Sequence, residues 1–384
     1  MSSVEEFRTE VRTWLRAHLT GGFAALKGRG GPGREHEAFA ERLAWERHMA
    51  AHGWTCLGWP VEHGGRGASV EEQIAFHEEY ALADAPARVG HIGEQLLGPT
   101  LIAHGTEEQK RRFLPPIRAV EELWCQGYSE PDAGSDLAGV RTRAALDPES
   151  GEWVVDGQKI WTSLAHEAQW CFVLARTEPG SRRHAGLSYL LVPMDQPGIE
   201  VRPIVQLTGT SEFNEVFFDG ARTDAAHVVG APGEGWAVAM ATLGYERGVS
   251  TLGQQVGFRR ELEDLAALAR LGGALADPLI RDRLVRAWIG LETLRATALR
   301  SAAAPSMAKL YRARRHRDLG ELAMDISGAA SLLAAGAHED PYELDDRQRL
   351  FLFSRADTIY AGSDEIQRTL IAERILGLPK EVRA

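Results

Sequence analysis

The stretch Trp124-Cys-Gln-Gly-Tyr-Ser-Glu-Pro-Asp-Ala-Gly-Ser-Asp136 is where this sequence changes texture. Upstream, from Val4 to about Arg118, apolar residues return at helical spacing, as in Val4, Phe7, Val11 and Leu15 and again in Phe39, Leu43, Trp45 and Met49. Downstream, from about Glu121 to Asp219, short runs rich in β-branched and aromatic residues take over: Trp153–Asp156, Trp170–Leu174, Leu187–Val192 and Glu215–Phe218. The turn signals DPESG, DGQ and EPGSRRHAG separate them. From Gly235 helical periodicity resumes in four long segments, Trp236–Leu271, Pro278–Ala304, Ser306–Ala335 and Arg347–Leu376, with breaks at Gly272, Pro305 and Pro341. This order predicts an α+β chain: a helical domain at 1–120, a β barrel or sandwich at 121–228 and a helical bundle at 229–384.

A chain of 384 residues is long enough to bury a substantial core. Its formal net charge of −11 argues against nucleic acid as the main partner, because phosphate binding calls for a basic face. The three cysteines, Cys56, Cys125 and Cys171, fit neither a disulfide framework nor a CxxC metal site, which points to a reducing cytoplasm. No apolar run approaches the roughly 20 residues needed to cross a bilayer, and the amino terminus lacks a signal-peptide core.

Three motifs invite over-reading. GRGGPG at Gly28–Gly33 matches a nucleotide-loop pattern, but no strand precedes it and Pro32 sits inside it, so a plain loop is expected there and at Glu62–Gly67, followed by a helix capped by Ser69 and Glu72. His48 and His52 share a helix face, yet no third ligand stands nearby in sequence, so no metal site is expected. The basic run Tyr311–Arg317 reads as a solvated helix face.

The Trp124–Asp136 segment resembles the first signature of the acyl-CoA dehydrogenases, a strand running into a glycine-bearing turn. Physically, such a strand end offers a hydroxyl and amides to a flat ring, and Gly134 allows close approach. The resemblance implies that Tyr128 and Ser129 touch a flavin ring and that Ser135 lies near the phosphates of FAD or CoA. Asp156-Gly-Gln-Lys-Ile-Trp-Thr-Ser163 is similar to the family's second strand, which gives Trp161 and Ser163 the role of covering the flavin. The stretch Ile359–Arg368 resembles the carboxyl-terminal signature and adds Ser363 and Glu365 to the cofactor set.

One departure is informative. Where medium- and short-chain members carry their catalytic glutamate, this chain has Ala361, and a side chain with no ionisable group removes no proton. Isovaleryl-CoA and long-chain members supply the base from an earlier helix, just before an arginine. Gly244-Tyr-Glu-Arg-Gly248 matches that arrangement, which makes Glu246 the implied base and Arg247 its neighbour. The resemblance thus implies FAD-dependent dehydrogenation of a branched, cyclic or steroid-derived acyl-CoA, or of a carrier-protein thioester, with electrons passed to an electron-transfer flavoprotein. The segments that usually grip a neighbouring subunit's FAD match poorly at Leu265–Gly273 and Met324–Ala329, which implies a homo- or hetero-oligomer, a dimer or tetramer, completed by a like or unlike partner. Two further readings stay open on this scaffold: a flavin monooxygenase, disfavoured by Glu246 and the Ser129–Asp136 turn, and a non-catalytic subunit, disfavoured by Trp161, Ser163 and Glu246.

Overall fold

A computed structural model describes residues 3–246, 254–300, 305–333 and 343–380. The amino-terminal unit comprises α1 (Val4–His18), α2 (Phe39–Ala51), α3 (Val70–Leu82), α4 (Gly98–His104) and α5 (Glu107–Arg118). Ser69 caps α3 as expected, accepting from the Glu72 amide while the Glu72 carboxylate accepts from the Ser69 amide. GRGGPG is a loop, and its glycine at position 30 makes room for a buried arginine. A side chain on Gly30 would run into the guanidinium of Arg42, which is 1 % exposed and bonded to Glu35 and the Ala87 carbonyl.

The β unit holds β1 (Trp124–Gly127), β2 (Arg143–Asp147), β3 (Glu152–Ser163), β4 (Trp170–Arg176), β5 (Leu187–Pro193), β6 (Ile199–Ile204), β7 (Phe213–Asp224) and β8 (Val228–Val229). They form one sheet in the order β6-β7-β3-β2-β4-β5-β8, with β1 parallel to β4. The expected turn at Asp156-Gly-Gln is instead a kink within β3, where the register against β7 slips between Val155 and Gly157. Gly157 has φ of 150°, and a Cβ there would lie 2.5 Å from the Thr142 hydroxyl, so glycine lets the strand bend without ending.

β4 and β5 are apolar on both faces, and the two faces enter different cores. Phe172, Leu174, Tyr189 and Leu191 pack with Trp59, Leu97 and Phe113 of the helical unit. Cys171, Val173, Leu190 and Val192 fill the interior of the sheet with Val155 and Phe218. A continuous apolar run is what a strand covered on both sides requires.

The carboxyl-terminal part comprises α6 (Gly235–Glu246), α7 (Gln254–Leu271), α8 (Pro278–Arg300), α9 (Pro305–Ser327), α10 (Asp346–Phe353) and α11 (Asp364–Leu370). Helix α6 sits in the core shared by the first two units through Val238 and Ala239. Its Thr242 hydroxyl meets Thr100 of α4 at 2.9 Å and Tyr189 of β5 at 3.5 Å inside that core. A further core unites α7, α8 and α9 around Leu262, Leu291 and Leu319. The expected helix Arg347–Leu376 is divided, because the chain turns through left-handed Ala361 (φ 53°) and Gly362 (φ 82°) before Ser363 starts α11. Among the described residues no helix is long and apolar enough to cross a membrane.

The basic run on α9 is also not a solvated face. Arg312 and His316 are buried, Arg314 donates to Asp364 at the head of α11, and His316 lies between Asp357 and Glu261 of α7, stacked on Phe258 at 4.1 Å. Burial alone would lower the His316 pKa, but the hydrogen bonds to Asp357 and Glu261 outweigh it and raise it from 6.5 to about 9. The stabilisation from this charge is complete below about pH 6.5 and is lost as pH rises through about 9. The thermal midpoint should therefore fall between those pH values, and scans of His316→Gln should show a flatter pH dependence over the same window.

Candidate active site

The first and second motifs meet at one place. The Ile160 amide donates to the Ser129 carbonyl at 2.9 Å, which lays the exit of β1 beside the bulged end of β3. There the register against β7 slips again, between Lys159 and Thr162, and Trp161 takes φ of 61°. A left-handed conformation is costly for a bulky L residue. It produces an indole that stands out of the sheet, 56 % exposed and edge-on to Phe213, where an ordinary strand position would bury or flatten it. Ser163 follows, half-buried, at the last pair of the ladder with Phe213.

Ser129 and Ser163 thus flank an exposed aromatic plate, and Ser135 lies exposed on the loop that continues from β1. Among the described residues none of these three hydroxyls makes a hydrogen bond within the chain, so all are free to meet a ligand. Gly134 has nothing within 4 Å of where a Cβ would stand, which keeps the loop's backbone approachable. Tyr128 is placed differently: its ring is buried edge-on against Phe172 and Tyr189, so any ligand contact it makes runs through the main chain.

The residue that holds this place together was not singled out in the sequence. Lys159 is fully buried, and its ammonium donates to the Tyr128 carbonyl at 3.1 Å, to Glu130 at 2.8 Å and to the Leu174 carbonyl at 2.8 Å. Three donors meet three acceptors. Glu130 also accepts from the Arg141 and Thr142 amides, at 2.6 and 2.8 Å. Burial would raise the Glu130 carboxyl pKa, yet the Lys159 charge and those donors hold it below its ordinary value. The sequence did carry a signal: Lys159 falls in register with inward-facing Val155 across the Gly157 kink, and a lysine there must find a counter-charge.

Beyond Ser163 the chain turns through Leu164 (φ 56°) and walls a cavity of about 120 Å³ with Glu35, Phe39, His166 and Glu212. Burial pushes the Glu35 carboxyl up to about 7 against the pull of Arg42, with Glu212 adding to the rise, so it can donate as well as accept near neutral pH. Nothing in the motif pattern pointed to Glu35, whose burial arises only when the 28–37 loop folds against the sheet.

Three family descriptions match in chain order: acyl-CoA dehydrogenase N-terminal domain at residues 2–121, middle domain at 125–221 and C-terminal domain at 233–376. An acyl-CoA dehydrogenase named IpdE1 from Mycobacterium tuberculosis is 64 % identical over the full length of both chains. The chain belongs to the acyl-CoA dehydrogenase family. As a member it is an oxidoreductase that works with a flavin, and the exposed Trp161 plate with its unpaired hydroxyls fits such a ring. Among solved structures, a steroid acyl-CoA dehydrogenase described as Tcur3481-Tcur3483 is 30 % identical with a TM-score of 0.83, covering 98 % of each chain. The ChsE4-ChsE5 complex from Mycobacterium tuberculosis is likewise 30 % identical, with a TM-score of 0.81 and 99 % coverage of each chain.

The remaining family-derived residues are Glu246, Arg247, Ser363 and Glu365. Glu246 is the last residue of α6, one turn beyond Thr242; its side chain and Arg247 lie outside the described residues. Ser363 caps α11, accepting from the Ile366 amide at 3.4 Å, and the Glu365 side chain is 77 % exposed, 3.6 Å from Arg368. Among the described residues no hydrogen bond or ion pair joins Ser363 or Glu365 to the Ser129–Ser163 surface. Lys159→Met should leave Glu130 buried without its counter-charge, at a cost of roughly 3–5 kcal/mol. Urea unfolding should report that loss of stability, and the purified variant should retain less flavin than wild type.

Proposed function

We propose that this chain catalyses the FAD-dependent α,β-dehydrogenation of a bulky, steroid-derived acyl-CoA to the trans-2-enoyl thioester, with electrons passed on to an electron-transfer flavoprotein. The observation that carries this reading is a paired change of residues: the carboxylate is missing at Ala361 and present at Glu246, at the end of a helix fixed in the core by Thr242. Glu246 takes the α-proton, which needs a carboxylate in a dry surrounding to be a strong enough base. A flavin, when bound, would supply the two-electron acceptor that takes the β-hydrogen as hydride. Trp161 and Ser163 would back and orient its ring, Ser129 and Ser135 would offer hydroxyls along it, and the Lys159–Glu130 pair keeps the turn that carries them in place. A likeness at 30 % identity to an enzyme described as a steroid acyl-CoA dehydrogenase supports the choice of acyl group.

The decisive experiment is anaerobic addition of acyl-CoAs to the yellow protein, wild type against Glu246→Gln. Bleaching of the flavin band should be fast with wild type and about 10²–10⁴-fold slower with the variant. Equal bleaching in both would remove Glu246 from the role of base, and preference for straight butyryl- or octanoyl-CoA over ring-bearing analogues would remove the substrate assignment. A thioester accepted only on a carrier protein would shift the carrier from CoA.

We also propose that the enzyme works as an oligomer whose partner, a second copy or an unlike chain of the same fold, packs on α8. That helix exposes Val285 (55 %), Trp288 (53 %) and Ile289 (51 %) at helical spacing on one face. The two 30 % identical structures carry two-component names, which supports an unlike partner. Trp288→Asp should elute as a smaller species on size exclusion and lose flavin; unchanged elution would move the interface elsewhere.

A further inference from the structure

We propose that His18, His48 and His52 form a binding site for one divalent transition-metal ion of the zinc type, on the helical unit and independent of the flavin chemistry. Sequence spacing offers no third ligand to the His48/His52 pair, but the fold supplies it: the last turn of α1 brings His18 against α2, with its Nδ1 2.8 Å from the Nε2 of His48. One ring nitrogen from each of the three histidines lies within 4.8 Å of the others. Zinc–nitrogen bonds of about 2.0–2.1 Å place tetrahedral ligand atoms ~3.4 Å apart, so small rotations about the side-chain bonds would complete the set.

Three features separate this cluster from histidines that merely pack. First, His52 Nδ1 lies 2.8 Å from the His48 carbonyl, which takes its N–H and leaves Nε2 with a free lone pair, the arrangement in which an outer hydrogen bond fixes a ligand's tautomer. Second, among the described residues none of the three imidazoles is paired with a carboxylate, so no ion pair competes for their ring nitrogens. Third, Trp14 stacks on His18 at 4.5 Å, and Phe23 stands 5.4 Å from His48, giving the ion an apolar wall on the inner side. The exposed His52 leaves the outer side open for water as the fourth ligand.

Three imidazoles without a hard oxygen ligand select zinc, nickel or copper over magnesium or calcium. The ion would tie together positions 30 residues apart, the ends of α1 and α2, and so clamp the Gly21–Leu26 turn and the GRGGPG loop between them. Its effect is therefore on the stability of the helical unit.

The test uses untagged full-length protein, stripped with EDTA, desalted and titrated calorimetrically with zinc chloride. Wild type should bind one ion per chain, and His18→Gln and His52→Gln should each bind at least ~10-fold more weakly. Zinc should raise the thermal midpoint of wild type and leave that of His52→Gln unchanged, because only a ligand held by the folded state stabilises it. Circular dichroism checks that the variants are folded; if His18→Gln is not, the exposed position His52→Gln decides. Unchanged affinity in the folded variants, or no binding by wild type up to about 1 mM zinc, overturns the assignment.

Discussion

A single buried ammonium sets the geometry on which the rest of this enzyme depends. An unpaired charge in the middle of a sheet would be prohibitively costly, so Lys159 forces its surroundings to supply acceptors: the Tyr128 carbonyl at the end of β1, the Leu174 carbonyl of β4 and the Glu130 carboxylate. Glu130 in turn fixes the amides of Arg141 and Thr142, across the whole Ser129–Asp136 turn. The Ser129–Ser163 surface is therefore positioned from behind by charge satisfaction, while its front presents hydroxyls that make no hydrogen bond among the described residues.

The second constraint is the pair of two-faced strands. Alternation along β4 and β5 sends one set of side chains into the sheet interior and the other into the helices, so the β unit and the helical unit share a wall instead of meeting at a solvated interface. The same wall receives α6. A helix that begins the carboxyl-terminal part is thus anchored to the first two units, with the Thr100–Thr242 contact one turn from Glu246. By contrast α7, α8 and α9 pack around a core of their own, and the ion network of His316 and Asp364 attaches the closing segments to it. This division leaves the proposed base on the helix anchored beside the β unit, and the bundle's outer face, with Trp288, available for a partner.

Membership of the acyl-CoA dehydrogenase family adds a frame in which the departures become legible. Loss of the carboxylate at Ala361 sits on a left-handed turn directly before the cap of α11. The proposed base on α6 would keep that turn and the backbone of the carboxyl-terminal signature, and would change only where the proton goes. The Glu35 cavity, with a carboxyl poised near neutral pH beside the end of β3, adds a polar feature that the family motifs do not describe.

Local sequence determined the order of helical, β and helical units and the capping box at Ser69, because periodicity and caps are properties of neighbouring residues. It also determined which position holds a carboxylate and which does not. Tertiary structure decided the rest: that Asp156-Gly-Gln bends a strand without ending it, that Tyr128 faces the core, that the α9 basic run is an internal ion-pair hub, and that His18 joins His48 and His52. Each of these depends on a partner far away in the chain, such as Thr142 behind Gly157 or Asp357 beside His316, and the electrostatic and steric terms that decide them are set by proximity in space, which sequence spacing does not encode.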